Sequence, residues 1–265
     1  MSDYRARAWP GLTLEIDGTT ALVTLDNPPA NTWTVRSLAA LRDLVGALNG
    51  DRGIYALVIT GQGGKFFSAG ADLKQFADGD KALAREAARR FGEAFEALSR
   101  FRGVSIAAIN GYAMGGGLEC ALACDLRIAE TQATLALPEA SVGLLPCAGG
   151  TQNLPRLVGE GWAKRMILLG ERVDAQTAAR IGLVEAVVAT GTAREEALAW
   201  ARQAARQSPT SVAACKRLVQ ATRTGSHDSA LVAERECFVD LFDSADQAEG
   251  VAAFLEKRPP QWTNA

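Results

Sequence analysis

The chain has 265 residues, a formal charge of -2 and 48% hydrophobic residues. That is enough apolar material for a real core, and the small net charge gives no general attraction to nucleic acid or anionic membrane, so any phosphate contact must be local. No apolar run approaches the roughly 18 residues a membrane span needs, and the N-terminus carries charges but no apolar signal segment, so a soluble cytoplasmic protein is expected.

The elements begin with two short strands, 12–16 ("LTLEI") and 21–25 ("ALVTL"), joined by the polar turn "DGTT". "NPPANT" breaks the pattern. A helical period then runs over 37–48, followed by a buried-looking strand at 55–60 and the glycine loop "GQGGK". That loop is not a phosphate cradle, because Phe66 follows Lys65 where a P-loop needs Ser or Thr. Neither it nor "GGGLEC" completes GxGxxG, so a dinucleotide site is not expected.

A long helix is predicted from Ala82 to Phe101, then a strand "VSIAAIN", a glycine-led helix, and two short strands in "DLRIAE" and "ATLALPE". From Gly149 the chain turns mainly helical, with start signals at Asp174, at Ser208-Pro209 and at "SADQ", where Ser244 precedes Gln247 by three. Only 183–188 ("LVEAVV") interrupts with strand character. The predicted organisation is an α/β core domain over 1–190 and a helical C-terminal part over 191–265.

Several mechanisms are ruled out by what the chain lacks. The single histidine, His227, sits in a polar turn at a helix start, and no GxSxG elbow accompanies it, so it reads as a surface or capping residue. Cys120 and Cys124 lie one helical turn apart with no second pair nearby, which argues against zinc. With Cys147, Cys215 and Cys237 they are expected to be reduced thiols.

The segment "MGGGLECALACDLRIAE" (114–130) is the most informative. A helix starting near Gly115 presents unpaired N–H groups and the positive end of its dipole, and glycine removes the Cβ that would hold an oxyanion away from them. Glu119 follows Gly116 by three residues, on the same helix face and among apolar neighbours. It is either a site carboxylate or the partner of Arg127. Glu139 lies just beyond an apolar strand, where open α/β sheets build sites, or is an ordinary loop acid. "FFSAGADLK" (66–74) offers a second small-residue turn for an oxyanion donor, with Ala71 and Lys74 nearby. Two N–H donors on a carbonyl that becomes an enolate, together with two acids that move protons, form one coherent reaction class needing no metal or redox cofactor.

The motifs "NPPAN", "FFSAGADLK", "AAINGYAMGGGLECALACDLRIA", "LPEASVGLLPCAGGTQNLPRLVG", "ARIGLVEAVV" and "FLEKRPPQW" run in order from about Leu12 to Trp262. In them the chain resembles the enoyl-CoA hydratase (crotonase) family. The resemblance implies a spiral of ββα repeats followed by a helical trimerisation region, commonly assembled as a homotrimer or dimer of trimers. It implies an acyl-CoA thioester substrate whose carbonyl sits between the N–H groups of Ala71 and Gly116. Ala69 and Ala71 to Lys74, including Asp72 and Leu73, are then expected to line the CoA, and Phe254 and Lys257 of "FLEKR" to reach a neighbouring subunit's CoA. CoA is part of the substrate, and no separate cofactor is expected.

Retention of both Glu119 and Glu139 resembles the hydratases, in which water adds to C3 and a proton to C2 of a trans-2-enoyl-CoA. Glu119 would chiefly hold the water and Glu139 supply the C2 proton. An enoyl-CoA isomerase is the second reading. A third, from another class, is a non-catalytic acyl-CoA- or RNA-binding relative using the arginines of 85–102, although Glu86, Glu93 and Glu96 interleave with them. The chain departs from the common "PGAGGTQRL" and "NAL" patterns at Cys147, Asn153 and Trp33, with Cys147 expected near the water and Trp33 at the entrance.

Overall fold

The computed structural model describes residues 4–265. Strands β1 (Leu12–Asp17) and β2 (Thr20–Leu25) form the antiparallel hairpin that the "DGTT" turn dictates, with Asp17 opposite Thr20. Helix α1 (Val35–Gly50) starts at Thr34, whose hydroxyl accepts from the Ser37 N–H while the Ser37 hydroxyl accepts from the Thr34 N–H. Strand β3 (Ala56–Gly61), the three-residue β4 (Phe66–Ser68) and a 3-10 turn (Leu73–Phe76) lead to α2 (Lys81–Ser99). Then come β5 (Val104–Ile109), β6 (Tyr112–Met114), α3 (Gly116–Ala123), β7 (Leu126–Glu130) and β8 (Thr134–Ala136).

Beyond a second 3-10 turn at Glu139–Val142 lie α4 (Gly150–Leu168), β9 (Val173–Asp174), α5 (Ala175–Arg180), β10 (Ala186–Val188) and α6 (Ala193–Ala204). Helices α7 (Pro209–Ala221), α8 (His227–Asp240) and α9 (Ala245–Leu255) complete the chain. The predicted start signals act as caps: Asp174, Ser208 and Ser244 each accept from the N–H three residues on. His227 is the first residue of α8, behind its cap Ser226.

Two sheets organise these elements. The larger runs in the order β1-β2-β3-β5-β7-β10, parallel from β2 onward, and the smaller in the order β4-β6-β8-β9. Side chains of the large sheet alternate between faces as the pleat requires. Ala21, Val23, Leu57, Ile59, Ala107 and Ile109 join one buried cluster with α1 and α2 residues such as Leu41, Leu44 and Phe95. Leu22, Val58, Ile106 and Ile128 face the other way and pack against Ala193, Ala197 and Ala201 of α6. Burial on both faces explains why these strands read as continuous apolar runs. Helix α6, although beyond residue 190, therefore belongs to the sheet's packing.

The core thiols behave as such: Cys120, Cys124 and Cys237 are buried and unbridged, and Cys147 and Cys215 are exposed. Arg127 is buried but pairs with Glu185, and its guanidinium also donates to the Leu183 and Cys124 carbonyls, which excludes the Arg127–Glu119 bridge. Four of the arginines in 85–102 are likewise paired. Arg89 and Arg90 bind Glu86, Arg100 binds Glu96, and Arg102 donates to the carbonyls of Asn49 and Ile54, so the segment offers no continuous basic face. No helix among the described residues is long and apolar enough to cross a membrane.

Candidate active site

The small sheet positions the chemistry. Its strands β4, β6 and β8 are parallel, so their carboxyl ends point the same way, and each delivers a residue of interest within three positions: Ala71 after Ser68, Gly116 after Met114, and Glu139 after Ala136. The crevice beyond such strand ends is where an α/β sheet exposes backbone N–H groups and small loops. Here it holds a cavity of about 530 Å³ lined by Ala69, Ala71, Gly116, Glu119, Glu139 and Cys147, among others.

Backbone contacts fix the two expected donors beside each other. Gly70, at φ +90°, lies so close to the neighbouring loop that a Cβ there would sit 2.7 Å from the Met114 carbonyl oxygen and 3.2 Å from the Gly116 nitrogen. On the other side, Trp33 holds the turn by donating its N–H to the Gly70 carbonyl and accepting from the Asp72 N–H. Gly117 is pressed against β4, where a Cβ would come within 2.2 Å of the Ser68 carbonyl oxygen. Among the described residues, neither the Ala71 N–H nor the Gly116 N–H donates to a protein acceptor. Gly116 is the first residue of α3, so its N–H belongs to the unpaired set at the positive end of the helix.

The two carboxylates sit in different environments. Glu119 is buried, and its Oε1 accepts from the N–H groups of Ala148 at 2.7 Å and Gly150 at 2.9 Å, at the start of α4. Burial raises its carboxyl above the ordinary range, and these two bonds oppose the rise. Glu139 lies against the backbone of Gly115, and its Oε2 is buried with no hydrogen-bond partner among the described residues. Burial pushes the Glu139 carboxyl up to about 7, with its own backbone N–H opposing the rise and the charge of Glu119 adding to it. One acid is thus anchored by two donors, while the other retains a proton near neutrality. Burial raises both carboxyls; what separates them is that Glu119 accepts from two backbone N–H groups and the Glu139 Oε2 from none.

Several residues singled out in the sequence lie elsewhere. Leu73 lines the cavity; Asp72 instead caps the adjacent turn by accepting from the Lys74 N–H, and neither Asp72 nor Lys74 is in the lining. Phe254 and Lys257 are at the exposed end of α9, outside the cavity of their own chain. Trp33 is not at the entrance: it is 2% exposed and packs edge-on to Phe95 at 5.4 Å, because its backbone pairing with the Gly70–Asp72 turn carries the indole inward. Cys147 does line the cavity: the residue is exposed as a whole, but partial enclosure of its sulfur by the cavity wall, followed by the charges of Glu119 and Glu139, raises the thiol to about 11. Asn153 does not line it; its amide lies by Gly149.

Sequence reasoning missed the anchors of Glu119, since Ala148 and Gly150 act through backbone N–H groups. It also missed the contribution of α2 and of the 141–145 loop, whose Ala84, Ala88, Phe91 and Leu144 line the cavity. Among the described residues no group of three or more His, Cys, Asp or Glu side chains is placed to hold a metal ion.

Known proteins match both chain and fold. The family model for enoyl-CoA hydratase/isomerase matches residues 15–265. A solved structure of DspI from Pseudomonas aeruginosa superposes with a TM-score of 0.93 at 69% identity, over 95% of this chain and 96% of that one. A probable enoyl-CoA hydratase of Bacillus subtilis is 39% identical, over 95% of this chain and 98% of the relative. The 2,3-dehydroadipyl-CoA hydratase of Escherichia coli is also 39% identical, over 91% of this chain and 94% of the relative. With its two sheets, its terminal helices and these matches, the chain belongs to the enoyl-CoA hydratase/isomerase, or crotonase, family.

Proposed function

We propose that the protein is an enoyl-CoA hydratase that adds water across the C2=C3 bond of a trans-2-enoyl-CoA to give a 3-hydroxyacyl-CoA. The observation that carries this reading is that two acids of unlike environment, Glu119 and Glu139, line the same cavity as the Gly116 N–H. The thioester carbonyl accepts from the Ala71 and Gly116 N–H groups, which stabilise the enolate oxygen as it forms; one such donor typically contributes about 2.7 to 4 kcal/mol. Glu119, as carboxylate, takes a proton from water while the water oxygen bonds to C3, and Glu139 gives its proton to C2. The pair holds one proton before and after the step, so water is consumed without net proton release.

An isomerase needs one base that shuttles a proton between carbons, and leaves the second acid facing the cavity without work. Incubation with a panel of enoyl-CoAs, recording product mass, separates the two readings. Gain of one water supports hydration, and unchanged mass with a moved double bond overturns it in favour of the isomerase. No cofactor beyond the CoA of the substrate enters this mechanism.

The assembly that best suits the chain is a homotrimer or a dimer of trimers. Phe238, Phe242, Phe254 and Leu255 of the terminal helices and their junction are each more than half exposed, with Phe238 and Phe242 packed edge to face, which supports burial against a second copy. In that assembly Phe254 and Lys257 would meet the neighbour's CoA. Sedimentation equilibrium tests it, and a monomer at micromolar concentration would refute it.

A further inference from the structure

Away from the two loops that carry Ala71 and Gly116, the cavity wall is largely apolar side chain. On α2, Ala84, Ala88 and Phe91 recur at i, i+4 and i+7 and share one helix face in the lining. At about 1.5 Å per residue that face is roughly 10 Å long. The adjoining 3-10 turn supplies Phe76, and the 141–145 loop supplies Leu144 and Leu145. Leu145 is 67% exposed, so the cavity mouth shows apolar surface that folding alone leaves uncovered.

Charge in the lining is equally one-sided. Among the described residues its only ionisable groups besides the Cys147 thiol are Glu119 and Glu139, and no lysine, arginine or histidine lines it. A ligand carrying a second carboxylate would lose water there and meet two acids with no cation to offset them. A four-carbon acyl group, with its thioester held at Ala71 and Gly116, places one methyl beyond C3 and leaves most of the wall bare.

We propose that the cavity selects enoyl groups with an uncharged hydrocarbon chain longer than four carbons, and that Ala84 and Ala88 set the accepted length by leaving the space along α2 open. This rests on the hydratase reading for the reaction, but the chain selectivity is measurable without it. Each methylene that leaves water for such a wall improves kcat/KM about fourfold, the equivalent of ~0.8 kcal/mol.

The experiment is kcat/KM for straight four-, six- and eight-carbon trans-2-enoyl-CoAs and for 2,3-dehydroadipyl-CoA, with calorimetric affinities of the matching saturated acyl-CoAs. The expected result is a rise of about fifteenfold per two carbons, and a loss of tenfold or more for dehydroadipyl-CoA against its uncharged six-carbon counterpart. In Ala88→Phe the eight-to-four-carbon ratio falls toward one; Ala84→Leu, a smaller change, serves the same purpose if the first variant does not fold. Equal or falling values with length, or dehydroadipyl-CoA as the best substrate, overturn the inference while hydration stands. If no enoyl-CoA gains water, the reaction reading fails; affinities that climb with chain length still uphold the selectivity, and flat affinities sink it.

Discussion

Glu139→Gln separates the catalytic demand on this residue from its cost to the fold. In the folded chain the carboxyl is raised from its ordinary 4.5 to about 7, chiefly by burial. The folded state therefore binds this proton more tightly than the unfolded chain does. The stability linked to it is present below 4.5 and is lost as pH rises through about 7. The full linkage for such a displacement is roughly 3 kcal/mol, and because Glu139 is only half-buried, solvent screening reduces it to about 1–2 kcal/mol. Glutamine has nearly the same shape and never ionises, so it escapes this loss while being unable to give a proton to C2.

The expected variant is thus a worse enzyme and a more stable protein. Hydration should fall by about a hundredfold to ten-thousandfold. Urea unfolding at fixed protein concentration should show Glu139→Gln gaining about 1–2 kcal/mol on the wild type between about pH 5 and about pH 8. A variant equally destabilised at both pH values would refute the reasoning, because it would mean the ionised carboxylate has a folded-state partner that supports it.

The pH profile of kcat/KM should be a bell, with its alkaline limb near 7, where Glu139 loses its proton, and its acid limb set by the raised carboxyl of Glu119. Hydration and dehydration should share that profile because the pair holds one proton in both directions; a flat response across it would contradict the division of roles. Gly116→Ala brings a methyl to 2.8 Å from Cε1 of the buried Phe91 ring and must displace the first turn of α3 or the ring. A loss of about 10² to 10³ in kcat is expected, with a stability change of about 1–3 kcal/mol, and wild-type turnover would remove this N–H from the mechanism. Lys216, on α7, donates to Asp125 at 2.7 Å and to the carbonyls of Phe101 and Gly103. Lys216→Met should therefore cost about 2–3 kcal/mol in urea unfolding, and an unchanged midpoint would show that α7 is held by other contacts.

Much of this was legible in the sequence where a pattern repeats or a side chain carries the signal. The strands of the large sheet are long enough to show apolar runs, and Asp174, Ser208 and Ser244 announce their helices through capping chemistry. Glu119 and Gly116 could be read as neighbours because the helical repeat places them on one face. Strands β4 and β6 could not be recognised as partners, since three residues are too few to display a period. The anchors of Glu119 left no trace because any residue but proline has an N–H. Arg127 was the obvious partner by proximity, yet the sheet carries it to Glu185, 58 residues further on. On α2, Ala84 and Ala88 sit among arginines and glutamates, so a cavity face made of small residues looked like an ordinary solvated one.

The contact between Gly117 and the Ser68 carbonyl has a consequence for how such a protein changes over generations. The loops that carry Ala71 and Gly116 are held by main chain touching main chain, so a side chain added at Gly70 or Gly117 would break the contact whatever its chemistry. Ala84 and Ala88 line the cavity from α2 through small side chains. A lineage can therefore vary Ala84 and Ala88 while this backbone contact stays fixed, but not Phe91, which lines the cavity and also lies against Gly116.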